Sequence, residues 1–554
     1  MTSTETSTTD DNITINTFHD PKESSSSSPD QCISNSTPDK KLRTLFDTIC
    51  LVILFIGVIL SMFVMSLNST VVAPAMTIIA AELDALSNQT WIATAYLLAV
   101  NAFQPISGKL SDIFGRKPVL LFGLSFFVLG SLINALTPSV QGLIAGRTIQ
   151  GAGAGFIMSL VFVIITDIAP VDWRPRLQSV LVIVYGLASV VGPLLDFWIN
   201  VILGGVALVI IAVLFKETST TSTGTFRSKL KRVDFIGCTL SIGFIVCLLL
   251  ALNWGPLYGW GDAHSIATFV VAGVLLILLI IAEFWFVKEP ILPAEVLLDP
   301  NIFVIYLYMA CLGLTFIGTL YFGPILYQSV FGASSSESGI RLIPFMACLI
   351  AGSIASGLLL KFFPYVKLYI LIGAASNLIG YGLFFTVDET ANWGRQAGFL
   401  TFCGLAFGLS QQNCILGVQT AASKYMAVAT SLNNFVMLLA SSIGVALYQT
   451  LFSTFLQAQF KGLSSAILQQ AAKYGALSNY LYIRDMPQEY QGPIIHAYME
   501  ALHNVFIVPL VAGGVGFICA LFVRNIRYGQ GTPSANNNDR DLEKVELQQQ
   551  QQQQ

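Results

Sequence analysis

Apolar residues in this chain fall into long blocks joined by polar stretches. Fourteen blocks stand out: Phe46–Ala80, Trp91–Ser107, Val119–Ala135, Val140–Ile168, Leu177–Leu195, Phe197–Phe215, Phe235–Leu252, Ile266–Phe286, Phe303–Tyr321, Ile340–Phe362, Leu368–Val387, Gly398–Val418, Ala427–Leu456 and Val505–Val523. Each is near or above the roughly 20 residues that a helix needs to cross a bilayer core. The pattern predicts an all-α integral membrane protein of about fourteen spans. An even number places both tails on one side.

The cations choose that side. Lys40, Lys41, Arg43, Lys109, Arg116, Lys117, Arg174, Arg176, the Arg227–Arg232 cluster, Lys288, Lys361, Lys367, Lys424, Arg524 and Arg527 all fall on the amino-terminal side. The opposite connections hold few cations and several acids, among them Asp84, Asp262, Asp388, Glu389, Asp485 and Glu489. Excess lysine and arginine mark the cytosolic face, so both termini are expected in the cytosol.

Composition agrees and removes other classes. Of 554 residues, 54% are hydrophobic and 11% charged, against about 25% charged in a soluble domain. A net charge of −3 gives no reason to expect a nucleic acid partner. The nine cysteines form no CxxC or Cys/His cluster, so neither a zinc site nor a disulfide framework is indicated. No phosphate-cradling GxxxxGK[ST] loop and no Ser-His-Asp or His-x-x-x-His arrangement occurs, which argues against an ATP-driven pump or a membrane enzyme. No cofactor, metal or catalytic residue is expected. Residues 1–43 and the glutamine-rich 524–554 read as disordered cytosolic tails.

Four stretches carry chemistry. Gly108-Lys109-Leu110-Ser111-Asp112-Ile113-Phe114-Gly115-Arg116-Lys117 is a tight charged turn between the second and third blocks. Arg147 lies inside an apolar block, in Arg147-Thr148-Ile149-Gln150-Gly151, followed by a glycine series to Gly155. An intramembrane arginine is expensive and so faces a partner or a polar cavity, while the small residues favour close helix packing. The fifth block ends Gly186-Leu187-Ala188-Ser189-Val190-Val191-Gly192-Pro193, and Tyr321–Ser334 with Gly404–Gln419 marks the carboxy half.

The G-x-L-x-D-x-x-G-R-K turn resembles the loop between the second and third helices of major facilitator superfamily transporters. R-x-x-Q-G resembles the family's fourth-helix motif, and Gly186–Pro193 its antiporter signature. The carboxy-half stretches and an extra central pair of spans are similar to the fourteen-span drug:proton antiporter branch, whose fungal-style relatives include multidrug exporters and vacuolar importers of basic amino acids. The resemblance covers about residues 44–523. It implies two pseudo-symmetric six-helix bundles, 44–215 and 303–523, around a basic loop and two extra spans in 216–302. It further implies a conformational latch at Gly108, Asp112, Gly115, Arg116 and Lys117. In that latch Gly108 permits close approach to the helix starting near Tyr425–Ala429, Asp112 faces that helix's start, and Arg116 pairs with an acid. Proton coupling is implied at Arg147, and a helix kink at Gly186, Gly192 and Pro193. With spans one, four, nine and twelve lining the cavity, Asn68, Gln150, Tyr327, Gln411 and Asn413 become substrate-contact candidates.

Two departures stand out. The junction of the fifth and sixth spans is shortened by roughly a dozen residues, leaving a very short connection. Asn68 stands where relatives carry an acid, and an amide cannot hold a proton. The implied function is proton-coupled antiport of small organic compounds by a monomer, with the proton gradient as energy source. Vacuolar transport of basic amino acids, or a sensor that no longer transports, are the alternatives.

Overall fold

The computed structural model describes residues 49–68, 89–191, 197–215, 225–287, 289–477 and 480–529. Gly192, Pro193 and both expected tails apart from 524–529 lie outside the described residues. Fourteen long helices run through the described chain: α1 (Ile49–Asn68), α2 (Gln89–Phe114), α3 (Arg116–Leu136), α4 (Val140–Ile168), α5 (Arg174–Val191), α6 (Phe197–Leu214), α7 (Phe235–Tyr258), α8 (Ala263–Ile281), α9 (Pro300–Ser329), α10 (Ile343–Leu359), α11 (Val366–Phe384), α12 (Trp393–Ala421), α13 (Met426–Lys461) and α14 (Gln488–Phe522). Eleven of the helices are long and apolar enough to cross a membrane by length and composition. The others are α2, α5 and α6. α2 carries Asn101, Gln104, Ser107 and Ser111, and α5 carries Gln178 and Ser179, all buried inside the protein rather than turned outward. Among the described residues the only β pairing is an isolated bridge between Tyr365 and Arg527.

Several helix starts are set by local chemistry. Ser139, Asp234, Asp262, Asp299 and Asn392 each precede a helix and accept a hydrogen bond from an N–H of its first turn, satisfying donors that the helix cannot. Gly115 is the one residue between α2 and α3. Its φ of +108° allows the chain to turn there without strain.

Small residues then decide how the helices pack. α4 lies between α2 and α3. A β-carbon on Gly155 would stand 2.8 Å from the Val100 carbonyl of α2, and one on Gly153 would stand 2.5 Å from the Phe127 nitrogen of α3. The glycine series after Arg147 is thus a packing face on two sides. In the carboxy lobe α12 repeats the device, with Gly404 and Gly408 pressed on the Phe345 and Leu349 carbonyls of α10. The lobes α1–α6 and α9–α14 meet where α2 lies on α13 and α5 on α10. α7 and the turn after it touch both lobes: Asn253 of α7 donates to Thr94 of α2 at 3.0 Å, and Trp260 in the turn donates to Thr450 of α13 at 3.1 Å.

Helix limits differ from the apolar blocks in one place of consequence. α14 begins at Gln488, seventeen positions before the block at Val505, because Ile494, Tyr498, Met499 and Leu502 give the polar-looking stretch a buried face. The start of the expected carboxy tail is also paired, with the Tyr528 N–H donating to the Pro364 carbonyl at 2.7 Å.

Candidate functional site

Three groups of polar side chains sit within this frame. The first is at the basic face, where α2 turns into α3. Arg116 is 12% exposed and links three elements. Its Nη1 donates to Asp112 Oδ1 at 2.5 Å and to Ser111 Oγ at 2.9 Å, and its Nε donates to Asp167 Oδ2 at the end of α4, at 3.1 Å. Asp112 is bonded to Arg116, and among the described residues no hydrogen bond joins it to the start of α13. Gly108 does meet that helix: a β-carbon there would lie 2.6 Å from the Ala427 carbonyl oxygen and 2.7 Å from Val428 Cα. Lys117 is half-buried in the first turn of α3. Lys109 reaches Glu289 at 3.4 Å, and Arg232 holds the same carboxylate with bonds of 2.7 and 3.0 Å. The Arg232 bond keeps the Glu289 carboxyl below its ordinary range.

The lobes are tied together near this face. Ser107 and Ser431 hydroxyls lie 3.2 Å apart. Gln419 Oε1 accepts from Thr166 and Gln178, both at 3.0 Å, and Ser179 donates to the Ser353 carbonyl at 2.9 Å. Gly186, one member of the expected kink, has only the side chains of Leu349 and Ile350 on α10 near its Cα face, at 3.5 and 3.9 Å from a β-carbon.

The second group surrounds Arg147, which is fully buried. Its Nη1 donates to Asn68 Oδ1 at 3.2 Å and Gln150 Oε1 at 3.1 Å, its Nε to the Ile92 carbonyl at 3.4 Å, and its guanidinium lies 4.6 Å from the Tyr96 ring centroid. Gln150 Nε2 also donates to Asn68 Oδ1 and Ser131 Oγ, at 3.0 and 2.7 Å. No carboxylate joins this knot among the described residues, and Nη2 has no hydrogen-bond partner. Asn68 and Gln150, expected on a cavity wall, are spent instead on holding this cation.

The third group consists of buried polar side chains on α2, α4, α12 and α13, of which α2 and α13 meet across the seam between the lobes. Among the described residues, Gln104 on α2, and Asn433 and Asn434 on α13, are buried with no hydrogen bond from either end of their amides, and the same holds for Ser159 Oγ on α4 and for Gln411 Oε1 and Asn413 Oδ1 on α12. Gly155 of α4 packs against the Gln104 backbone nitrogen, and the Ser107 hydroxyl one turn along α2 meets Ser431 of α13. Buried amides of this kind are met by water or by a bound molecule. Toward the far face the seam opens into a cleft of about 270 Å³ between α2, α7, α9 and α13, whose polar lining is Thr94, Asn253, Tyr321, Ser442 and Gln449. Tyr327 stands apart. It is buried at the far end of α9, donating to the Gln396 carbonyl at 3.3 Å beside Arg341.

Sequence reasoning had singled out Gln411 and Asn413 but not Gln104, Ser159, Asn433 or Asn434. The one available signal was polar residues inside blocks already long enough to span. No group of His, Cys, Asp and Glu suited to a metal occurs among the described residues.

The family model described as Major Facilitator Superfamily matches residues 58–445, well over half the chain. The chain belongs to the major facilitator superfamily. Its relatives within the superfamily include the efflux pump bfoC of Aspergillus brasiliensis, 35% identical over 416 residues and covering 73% of this chain and 74% of the pump. The efflux pump aunC of Aspergillus niger is 34% identical over 74% of this chain and 81% of its own length. The MFS-type transporter ptmT of Penicillium ochrochloron is 30% identical, with 85% of each chain covered. Among solved structures, the human organic anion transporter MFSD10 matches with a TM-score of 0.53 at 13% identity, covering 84% of this chain and 99% of that one. The proton:xylose symporter XylE matches at 0.52 and 13% identity, covering 86% and 97%. At such identities these two show the fold alone. This chain is therefore an integral membrane transporter of small molecules, not an enzyme, and the two-lobed facilitator fold is the frame in which its polar groups act.

Proposed function

We propose that this transporter exports small organic molecules, uncharged or anionic, by alternating access driven by the proton gradient. The observation that carries the reading is the set of buried amides on α2, α12 and α13 whose atoms are left unpaired among the described residues. It offers donors and acceptors and, among the described residues, no carboxylate. Such a set suits amphipathic organic compounds with hydroxyl or carbonyl groups. It has nothing to offset the cost of burying an ammonium or guanidinium, and a fully buried Arg147 in the same lobe adds positive charge. Transport of basic amino acids therefore draws no support from these residues, whereas relatives named efflux pumps support export.

In this reading the basic face is cytosolic, with both tails, and the chain works as a monomer in the plasma membrane. Gly108, Asp112, Gly115, Arg116 and Lys117 form the latch that holds the cytosolic side of the seam closed. Substrate bound among Gln104, Asn434, Gln411 and Asn413 leaves through the far-side cleft. Arg147 stiffens the amino lobe as it rocks.

The test uses purified protein in sealed liposomes with an acidic lumen, with fluorescein and labelled lysine as probes. Saturable, gradient-dependent accumulation of fluorescein without lysine is expected, reduced by Gln104→Leu or Asn434→Leu. Accumulation of lysine without fluorescein would overturn the proposal.

A further inference from the structure

Among the described residues three charged side chains are buried: Arg147, Asp234 and Glu283. The two acids belong to the extra helices and play no part in the site above. Asp234 is 8% exposed and caps α7. Its Oδ1 accepts from the Gly237 N–H at 2.8 Å, while its Oδ2 has no hydrogen-bond partner among the described residues. Glu283 is 6% exposed and lies in a π-helical turn, Ala282–Phe286, that ends α8. Such turns recur at functional sites. Its carboxylate accepts from the N–H groups of Ile291 and Leu292, at 3.3 and 3.2 Å, in the connection that folds back over it.

The two carboxyl groups converge over Gly237. A β-carbon at that position would collide with Asp234 Oδ2 and stand 2.8 Å from Glu283 Oε1. An unsatisfied carboxylate oxygen thus faces a second carboxylate where water is largely excluded. Among the described residues, the surrounding charged and titratable groups do not neutralise both. Lys109 of α2 lies within electrostatic reach of Glu283 but is bonded to Glu289. Arg232, before α7, is also bonded to Glu289. The Cys238 thiol of α7 adjoins both acids, and Lys288 lies outside the described residues.

We propose that Asp234 and Glu283 form a proton site, in which one proton from the basic face lies between Asp234 Oδ2 and Glu283 Oε1. Two carboxylates in one dry site cannot both be ionised without a large electrostatic cost. A shared proton turns their repulsion into a charge-assisted O–H···O bond. It also ties the start of α7 to the end of α8. Loss of the proton sets two negative charges before Lys109, the neighbour of Gly108, and so draws Lys109 away from Glu289. Protonation of the extra helices is in this way linked to the seam. That link rests on the transport reading, whereas binding of the proton does not.

Infrared difference spectroscopy tests the binding on the full chain in lipid nanodiscs, titrated in pH. Wild type shows a carboxylic acid C=O band lost on raising the pH. Glu283→Gln and Asp234→Asn each remove it, and Glu289→Gln retains it. Glu283→Asp keeps an acid in place and shifts the band, which covers the case of an amide variant that does not fold. A band unaltered by Glu283→Gln overturns the proposal, as does a spectral change that follows sodium at fixed pH. Flux of fluorescein tests the link. A titrating group changes its occupancy by up to about tenfold per pH unit, so wild-type flux, measured with the pH difference across the membrane held constant, varies on that order with basic-face pH and Glu283→Gln loses the variation. An unchanged profile removes the link. Absence of fluorescein flux in every vesicle instead removes the transport reading and leaves the infrared result standing.

Discussion

Gly108 of α2 lies so close to Ala427 of α13 that a β-carbon on the glycine would stand 2.6 Å from the Ala427 carbonyl oxygen. The contact is backbone against backbone, across the seam between the lobes, so no side chain can move aside to relieve it. Overpacking typically costs about 1–3 kcal/mol. Gly108→Val should therefore lower the population of the closed seam by roughly tenfold or more. Labelling of Ser431→Cys from the basic side should quicken accordingly, and flux should fall while membrane insertion stays normal. Unchanged labelling would show that the contact does not hold the seam.

Arg116 joins Asp112 to Asp167. Hydrogen bonds to charged groups contribute about 1.5–3 kcal/mol each. Asp112→Asn and Asp167→Asn should each reduce flux and lower the thermal midpoint in detergent. Because both act through one guanidinium, the double variant should lose less than the two single losses added. Simple additivity would mean that the acids act separately.

Asn68 accepts the Arg147 bond with a neutral oxygen. Asn68→Asp places a full counter-charge at that position, 3.2 Å from Nη1. A buried cation is costly when unpaired, so this variant should unfold at a higher temperature than wild type. Arg147→Lys should unfold lower, since an ammonium cannot serve Asn68, Gln150 and the Ile92 carbonyl together. Equal midpoints for all three would show that the amides already satisfy the cation fully.

Glu289 bridges Lys109 to Arg232, and the Arg232 bond depresses its carboxyl below the ordinary glutamate range. Its contribution is therefore full above the unfolded value, near 4.3, and fades as the pH falls through the depressed folded value. Glu289→Gln should lower the thermal midpoint by the same amount at pH 7.5 and pH 6, with the difference vanishing only in strong acid. A difference that disappears already between those two values would contradict the bridge.

The helices were legible because each apolar block has to be long enough to cross lipid, and the Gly108–Lys117 turn was legible because glycine and charge stand at fixed spacings. Gly108 packs on the start of α13 at Ala427 and Val428, within the Tyr425–Ala429 stretch to which the family resemblance pointed. What could not be read were side chains that act only through neighbours distant in the chain. Gln104, Ser159, Asn433 and Asn434 sit among apolar residues at no diagnostic spacing, and only the packing of α2, α4 and α13 buries them with polar atoms unpaired among the described residues. Asp234 and Glu283 lie 49 positions apart at no diagnostic spacing, and their proximity depends on α7 and α8 lying side by side. Asn68 and Gln150 were expected to meet substrate, yet their amides are held by Arg147, which lies 79 positions from Asn68.

The account depends most on a seam that closes and opens at its basic side. Ser107→Cys with Ser431→Cys, in a chain freed of its other cysteines, places two thiols where the hydroxyl oxygens lie 3.2 Å apart. Oxidation should form the cross-link, stop fluorescein flux, and allow flux to resume on reduction. Full flux through the cross-linked protein would contradict the account.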